Sequence, residues 1–487
     1  MEHVDVLIIG AGLSGVGAAA QVRERLPRKS VIVLEGRDAK GGTWDLFRYP
    51  GVRSDSDMFT FGYTWRPWDS DIALADGPLI RDYIDTVAKE YDVDGLIRYQ
   101  HRVRSAAWDS AAQRWTVVAV VGDPAAGETV TLTAGFLWSC AGYYKYEQGF
   151  QPTWPGMADF GGEVVHPQHW PQDLDHAGKR VVVIGSGATA VTLVPAMTGG
   201  DRPAEHVTML QRTPTYVLNR ARRDPVAKLL RRLHAPERVV YRAARWANIL
   251  QAIGFYKFSM RWPERAKAFI RKEVVRQLPD DVDVDEHFTP PYDPWEQRLC
   301  FVPGGDLFKA LRSGRASVVT DTIAEFTPTG LRLTSGAELE ADIVVTATGF
   351  QLQLPFGGID FTVDGEPMDL PSRLAYKALM LSGVPNFAFT LGYTNASWTL
   401  KADLVIDYVC RLLKHLDDHG LRSAVPVPEG EVERRPLMLL NSGYIKRSLH
   451  LLPSEGDRAP WRLEQNYLVD RRVIQRGRID DGVLRFT

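Results

Sequence analysis

Cysteine is scarce in this sequence, and its few cysteines are far apart. Only Cys140, Cys300 and Cys410 occur, and none is in C-x-x-C spacing. The pattern does not suggest a disulfide framework or a redox dithiol, and it fits a reducing compartment. The pair His166 and His169 has no nearby acids or cysteines in ligand spacing, so we expect no metal site.

Long apolar runs and a surplus of one charge are also absent. No apolar run reaches about 18 residues, the length that a membrane span needs. A secretory signal peptide would begin with a positively charged region followed by an apolar one. Residues 4–9 instead have the pattern of a short buried strand. We therefore expect a cytoplasmic protein without a spanning helix. The chain carries 58 Lys and Arg against 60 Asp and Glu, which argues against a chain-wide nucleic-acid surface.

The composition is that of an ordinary globular protein, with 45% hydrophobic and 24% charged residues in a chain of 487. That length is well above the size at which a single hydrophobic core stops growing. We therefore expect two or three domains.

A glycine-rich turn follows the first predicted strand. Residues 4–9 lead directly into Gly10, Gly12 and Gly15 and then into an alanine-rich helical segment. Strand, glycines and helix N-terminus together are typical of a pyrophosphate-binding turn. A second predicted strand ends in Glu35, where a carboxylate accepts hydrogen bonds from ribose hydroxyls and repels a 2′-phosphate. The segment therefore predicts a dinucleotide site.

The same arrangement occurs again in the middle of the chain. A predicted strand, residues 179–184, leads into Gly185, Gly187 and Ala190, with alanine in place of the third glycine. The strand that follows ends beside Arg212 and Thr213, where the first unit has its acid. Because a guanidinium can bind a 2′-phosphate bidentately, we expect NADPH at this second site. The alternative for Arg212 is a surface arginine without a ligand.

Two more segments are dense in glycine, aromatic and charged residues. One contains Gly42, Thr43, Trp44 and Asp55. The other, residues 160–171, fits the pattern F-x-G-x-x-x-H-x-x-x-W-P with Phe160, Gly162, His166 and Trp170. This pattern resembles the fingerprint of the Baeyer–Villiger monooxygenases, flavoenzymes that insert one oxygen atom beside a ketone carbonyl. Residues 42–50 and 394–401 resemble the ethionamide-activating subgroup of that family.

The resemblance implies an α/β fold with two Rossmann-like domains, FAD on the first glycine turn and NADPH on the second. It places Gly42, Thr43 and Trp44 against the flavin, with Asp55 beside the isoalloxazine. Arg298 matches the family's arginine that reaches the flavin. Simpler alternatives stay open: Asp55 as a turn residue or helix N-cap, and Arg298 as an interdomain ion-pair residue.

The resemblance also implies a mechanism. NADPH reduces FAD, oxygen adds to form a C4a-peroxyflavin, and attack on a ketone gives an ester or lactone. Arg298 would stabilise the peroxide and the addition oxyanion, while Asp55 holds that arginine. Sulfides and thioamides are further expected substrates. The alternatives are a flavin monooxygenase acting only on N or S, which normally departs from tryptophan at the position of Trp170, and a flavin-binding membrane-associated protein without turnover.

We expect a discontinuous FAD domain, residues 1–145 and 345–487, around an NADPH domain, residues 146–344. The latter contains a helical insert at about 217–295. Within it, residues 220–276 carry 16 Lys and Arg against 4 Asp and Glu. Such a segment either shapes the substrate pocket, also touches an anionic membrane surface, or binds a partner protein.

Overall fold

Two sheets, each built on one of the glycine-rich turns, organise the protein. The computed structural model describes residues 1–353, 356–437 and 442–487. The first sheet has nine strands, six from residues 2–139 and three from residues 360–389. Its order is Glu366–Pro367, Asp360–Val363, His101–Asp109, Arg114–Val121, Glu128–Ser139, Glu2–Ile9, Val31–Leu34 and Ile97–Arg98, with Phe387–Phe389 also paired to Glu128–Ser139. Antiparallel pairs in this sheet join Arg114–Val121 to His101–Asp109 on one side and to Glu128–Ser139 on the other.

The second sheet is parallel throughout. Its five strands run in the order Ala316–Thr320, His206–Gln211, Arg180–Ile184, Ile343–Thr346 and Glu163–Val165. The expected domain boundary between 344 and 345 falls inside Ile343–Thr346. The boundary consequently shifts past Thr346, because this strand pairs with two strands of the second sheet.

Each central strand is buried on both faces, which explains its continuous apolar run. In the strand Glu2–Ile9, Val6 and Ile8 pack into one core cluster and Leu7 and Ile9 into another on the opposite face. The strand Arg180–Ile184 repeats this pattern with its alternating side chains. Each sheet is therefore the middle layer of its own domain.

Seven helices have eight residues or more in the described parts of the chain. They are α1 (Leu13–Arg25), α2 (Gly77–Glu90), α3 (Ala188–Met197), α4 (Pro225–Arg232), α5 (Glu237–Arg261), α6 (Pro263–Val275) and α7 (Trp398–Asp418). Shorter α-helices are Thr43–Leu46, Met58–Phe61, Val284–His287, Asp306–Arg312, Gly443–Lys446 and Tyr467–Asp470. None of the helices described is both long and apolar enough to cross a bilayer.

Small sheets complete the architecture. One is a three-stranded antiparallel sheet of Ile323–Thr327, Gly330–Leu333 and Glu338–Glu340. Two-stranded pairs join Ala375–Tyr376 to Met380–Leu381, Ala424–Pro426 to Leu484–Phe486, and Arg434–Pro436 to Ser454–Gly456.

The two glycine turns have the same physical basis. Gly10 has φ +97°, and a Cβ there would lie 2.7 Å from the carbonyl oxygen of Cys140. Gly185 has φ +137° and faces the carbonyl of Ala347 in the same way. A side chain is excluded at both positions by conformation and by space, so each strand can turn sharply into its helix.

The insert contains α4, α5 and α6, with Pro236 at the N-cap of α5 and Pro263 as the first residue of α6. Its expected start at 217 is wrong in one respect, because Val217–Arg220 is a strand and not a helix. This strand pairs in parallel with Cys300–Pro303, just beyond the insert's end. Val217 and Leu218 are buried there, so the pairing closes the base of the insert.

Candidate active site

One large cavity of about 1080 Å³ brings most of the predicted cofactor residues together. Its lining contains Gly10, Gly12, Glu35, Gly42, Thr43, Trp44, Asp55, Gly185, Gly187, Arg212, Thr213 and Arg298. Gly15 and Ala190 lie outside the lining: Gly15 sits against the carbonyl of Gly10, and Ala190 is fully buried in the second core. These two positions therefore serve helix–strand packing.

The N-termini of α1 and α3 both lie at the cavity. Their N-cap residues, Gly12 and Gly187, line it, and neither helix has a side-chain hydrogen bond at its cap. The first backbone N–H groups of each helix are therefore left without a side-chain acceptor. Together with the positive end of the helix dipole, they suit a phosphate group.

Glu35 lies buried at the end of its strand, with 6% of its surface exposed. Its carboxylate accepts hydrogen bonds from the backbone N–H groups of Ala11 at 2.7 Å and Arg37 at 2.9 Å. Burial raises the pKa of Glu35, against the opposing effect of these two amides. Each oxygen retains a lone pair that a ribose hydroxyl could use.

Residues 43 and 44, which follow the first glycine turn, are held by contacts with side chains from other parts of the chain. The Thr43 hydroxyl lies 3.1 Å from the Tyr146 hydroxyl, and Trp44 packs edge-on against Phe61. Burial raises the pKa of Tyr146 to about 12, so this phenol stays protonated. Tyr146 lines the cavity as well. It lies in the Pro- and Gly-rich segment of residues 143–162, which we call the linker. Sequence reasoning missed this tyrosine because no local pattern distinguishes it from other residues of the linker.

Asp55 and Arg298 form a bidentate ion pair across the cavity wall. Arg298 donates from Nε to Oδ2 and from Nη2 to Oδ1 of Asp55, both at 2.8 Å. The helix N-cap in this loop is Asp57, which accepts from the Thr60 N–H at 2.9 Å. The N-cap alternative for Asp55 is therefore wrong. The interdomain ion-pair reading of Arg298 agrees with this geometry, and the pair also faces the cavity.

The second glycine turn is held to the strand end that follows it. The Ser186 hydroxyl donates to the carbonyl oxygen of Thr213 at 2.9 Å. Arg212 is exposed at the rim of the cavity. Its guanidinium can therefore reach a ligand that is seated on the turn.

Comparisons with known proteins agree with this arrangement. Residues 8–68 match an NAD(P)-binding Rossmann-like domain, and residues 73–233 match the flavin-binding monooxygenase-like family. The FAD-containing monooxygenase EthA of Mycobacterium tuberculosis is 53% identical over 486 residues, covering 100% of this chain and 98% of EthA. The chain belongs to the FAD-containing monooxygenases. The predictions of an α/β flavoprotein monooxygenase and of the EthA-like subgroup are confirmed by this relationship.

Two solved structures share the fold of this monooxygenase. A steroid monooxygenase bound to NADP has a TM-score of 0.77 at 23% identity, covering 99% of both chains. A cyclohexanone monooxygenase has a TM-score of 0.76 at 20% identity, covering 100% of both. At this identity the likeness concerns the fold, which is the two-domain architecture that the two glycine turns predict.

A second cavity of about 390 Å³ adjoins the first at the Asp55–Arg298 pair. Both residues of the pair line it, so the pair forms a wall common to the two cavities. The surface of this cavity is mainly apolar, although charged side chains such as Arg220, Lys257 and Glu273 also line it. Its apolar and aromatic lining includes Ile249, Ile253, Phe255, Tyr256, Phe269, Trp295, Phe301, Leu400 and Tyr467. A small apolar compartment beside a fixed cation is suited to an uncharged organic molecule.

The C-terminal segment supplies one wall of the second cavity, which sequence reasoning missed. Residues 464–467 line it. Buried Lys401 donates to Asp470 at 2.9 Å, and the Tyr393 hydroxyl donates to the same carboxylate at 2.7 Å. The backbone N–H of Thr394 donates to the Gln465 side chain at 3.2 Å. The sequence signal for this contact was Lys401 itself, which stands within the apolar stretch of α7. A lysine buried there requires a charged or polar partner from another segment.

The fingerprint residues Phe160, Gly162, His166 and Trp170 do not line either cavity. Phe160 packs edge-on against Phe326, and Trp170 packs on the core of the second domain. The His166 ring presses against Gly149 in the linker. Burial lowers the pKa of His166, which fits the role of its Nδ1 as acceptor from the Gln168 N–H at 3.2 Å.

Gln168, which the fingerprint leaves unspecified, makes the direct connection to the linker. Its side-chain amide donates to the carbonyl oxygens of Lys145 at 2.8 Å and Tyr146 at 2.9 Å. Only 1% of its surface is exposed. The fingerprint segment therefore holds the backbone that carries Tyr146 to the cavity.

We expect Gln168→Ala to lower the free energy of unfolding by roughly 1–3 kcal/mol, because it leaves two linker carbonyls without their donor. The neighbouring Gln172 is exposed, so Gln172→Ala is the matched control and should change little. Denaturant unfolding of both variants measures the difference. Equal stability of the two variants contradicts the anchoring role of Gln168.

Proposed function

We propose that this protein is a Baeyer–Villiger monooxygenase that uses FAD, NADPH and O2 to convert ketones to esters or lactones, and that it also oxidises sulfides or thioamides. The observation that carries the proposal is the bidentate Asp55–Arg298 pair in the wall between the two cavities. Product analysis by mass, after NADPH and oxygen are supplied with a panel of ketones and sulfides, tests it. Exclusive N- or S-oxidation contradicts the ketone assignment.

The first turn fits FAD. A Cβ at Gly12 would lie 3.6 Å from Cα of Gly42, so the two glycines leave a slot in which a pyrophosphate can approach the backbone. Glu35 at the strand end suits the ribose hydroxyls of the adenosine half, and Gly42, Thr43 and Trp44 continue the cavity towards Asp55. When bound here and reduced by NADPH, FAD would supply the electrons that activate O2.

The second turn fits NADPH. Gly185 and Gly187 line the cavity at the start of α3, with Thr213 beside them. Arg212, exposed and in the same lining, would hold the 2′-phosphate, since a guanidinium suits bidentate contact with that group. The fingerprint residues Phe160, Gly162, His166 and Trp170 keep the two nucleotide sites in register through the linker.

Arg298 is proposed as the catalytic residue. A guanidinium stays protonated at physiological pH, so it offers a permanent positive charge to the negative oxygen that develops when the substrate carbonyl is attacked. Asp55 holds this guanidinium by two hydrogen bonds and fixes its orientation. Apolar side chains such as Leu299 and Phe301 line the second cavity with Arg298, and a substrate bound there would displace water from the charge, which strengthens the interaction.

We expect Arg298→Ala to retain FAD binding and reduction by NADPH but to lose ester formation by about a hundredfold or more, the usual effect of removing an oxyanion donor. Arg298→Lys should be intermediate, because it keeps the charge but not the planar bidentate geometry. Arg114→Ala, at an exposed strand position, is the control. Flavin reduction by stopped flow and ester yield measure the two steps. Normal turnover by Arg298→Ala would sink the assignment.

We expect Arg212→Ala to raise KM for NADPH by roughly 10- to 100-fold through loss of charge-assisted hydrogen bonds, with KM for NADH within about twofold. Steady-state kinetics with both coenzymes measure this. Arg202→Ala is the matched control, since Arg202 is an exposed arginine of the same domain that pairs with Asp175. An equal rise in KM for NADPH and for NADH would contradict the role of Arg212 in binding the 2′-phosphate.

We also propose that the basic insert, residues 220–276, contacts anionic membrane surfaces. The basic insert contains 16 Lys and Arg against 4 Asp and Glu, and such an excess of positive charge favours contact with anionic lipid. The protein should sediment with phosphatidylglycerol vesicles at low salt, and about 1 M NaCl should release it because the Debye length is then roughly 3 Å. Phosphatidylcholine vesicles are the control. Failure to sediment with the anionic vesicles removes the membrane contact.

A further inference from the structure

Exposed apolar side chains are concentrated on the insert. Twelve large hydrophobic side chains are exposed in the described parts of the chain, and eight of them belong to α4, α5, α6 and their connections. These eight are Leu229, Leu233, Val239, Leu250, Met260, Trp262, Phe269 and Val275. Two others of the twelve, Leu468 and Val469, lie on the short helix Tyr467–Asp470. An apolar surface of this kind on a protein indicates a contact with something else.

On α5 and α6 the exposed residues form regular stripes. Leu250, Gly254, Lys257 and Arg261 are exposed along α5, and Arg265, Phe269, Lys272 and Val275 along α6. The spacing of three or four places each set on one helix face. Each stripe mixes apolar side chains with cations. We call these two stripes, with Met260 and Trp262 at their junction, the docking face.

The cations of the docking face are available to an external anion. In the described parts of the chain no carboxylate forms an ion pair with Lys257, Arg261, Arg265 or Lys272. Other arginines of the insert do pair, such as Arg271 with Asp285. Trp262 is 44% exposed, and the Arg261 guanidinium lies 5.5 Å from its ring centre. Exposed tryptophan beside cations is typical of a membrane–water interface.

The second cavity reaches this face. Lys257 of α5 and Phe269 of α6 are both exposed and both line the cavity. The Phe269 ring lies 6.4 Å from that of Phe255, which lines the cavity further along. The same cavity is lined by Asp55 and Arg298. A single cavity with a mainly apolar surface therefore includes residues of the docking face and both members of the ion pair.

We propose that the docking face lies on an anionic lipid bilayer and that a lipophilic ketone or sulfide dissolved in the bilayer enters the second cavity directly, between α5 and α6. The inference rests on the proposed function and names its substrate class, a molecule with a long apolar chain. Such a molecule is scarce in water, because each methylene favours the apolar phase. A cavity that opens against lipid meets it at the concentration present in the bilayer.

The test compares two methyl ketones with different partitioning. Methyl tridecyl ketone is incorporated into phosphatidylglycerol vesicles, and methyl propyl ketone is supplied in buffer. The variant Arg261→Glu, Arg265→Glu, Lys272→Glu reverses three cations that do not line either cavity. The control Arg28→Glu, Arg114→Glu, Lys179→Glu changes the net charge equally at exposed positions outside the insert.

We expect the docking variant to oxidise the vesicle ketone at least about tenfold more slowly than the wild type at low salt, since each basic residue contributes to attraction by an anionic surface. It should oxidise methyl propyl ketone within about twofold of the wild type, and the control variant should match the wild type on both ketones. Equal oxidation of the vesicle ketone by the docking variant and the wild type overturns the entry route alone. A wild type that oxidises neither ketone overturns the proposed function and the entry route with it.

Discussion

The ion pair between Asp55 and Arg298 is the contact from which the rest of the site takes its geometry. Its two members are 243 residues apart in the chain, and each comes from a loop of a different domain. Two hydrogen bonds of 2.8 Å set both the distance and the plane of the guanidinium. Both members of the pair line the cofactor cavity and the second cavity. A shift of either domain would therefore alter both compartments together.

The relative position of the domains depends on the linker and on the segment that holds it. Gln168 binds two linker carbonyls, and His166 packs on Gly149. The linker in turn carries Tyr146 to Thr43. A chain of contacts thus runs from the fingerprint to the first nucleotide site without any fingerprint residue lining a cavity. Residues with no contact to substrate can in this way govern the chemistry through geometry.

The insert separates two tasks by its two faces. Its inner residues, such as Ile249 and Phe255, line the second cavity. Its outer face carries exposed apolar groups together with cations that form no ion pair within the described residues, namely Lys257, Arg261, Arg265 and Lys272. Several cations of this basic segment are already partnered. Buried Arg245 donates to the carbonyl oxygens of Phe59 and Gly62 and pairs with Asp403, and Arg271 pairs with Asp285. The total charge of the segment therefore overstates what is available to a partner, and the exposed stripes of α5 and α6 are the relevant part.

Short-range patterns were sufficient to predict both nucleotide turns. Gly10, Gly15 and Gly185 are required by backbone conformation or close approach, and such local requirements appear directly in residue type and spacing. The acid Glu35 and the arginine Arg212 follow from the same local unit. The Asp55–Arg298 contact was anticipated only through the resemblance to a known family, because no spacing rule connects residues so far apart.

The sequence by itself determined the strand–turn–helix units, the proline-delimited helices of the insert and its basic character, because each depends on neighbouring residues. Only the tertiary structure decided that Asp57 and not Asp55 caps the short helix, and that Val217–Arg220 is a strand. It also revealed that Gln168 and Lys401 anchor distant segments. The physical reason is that these roles depend on partners brought near by folding, which leave no periodic trace in the chain.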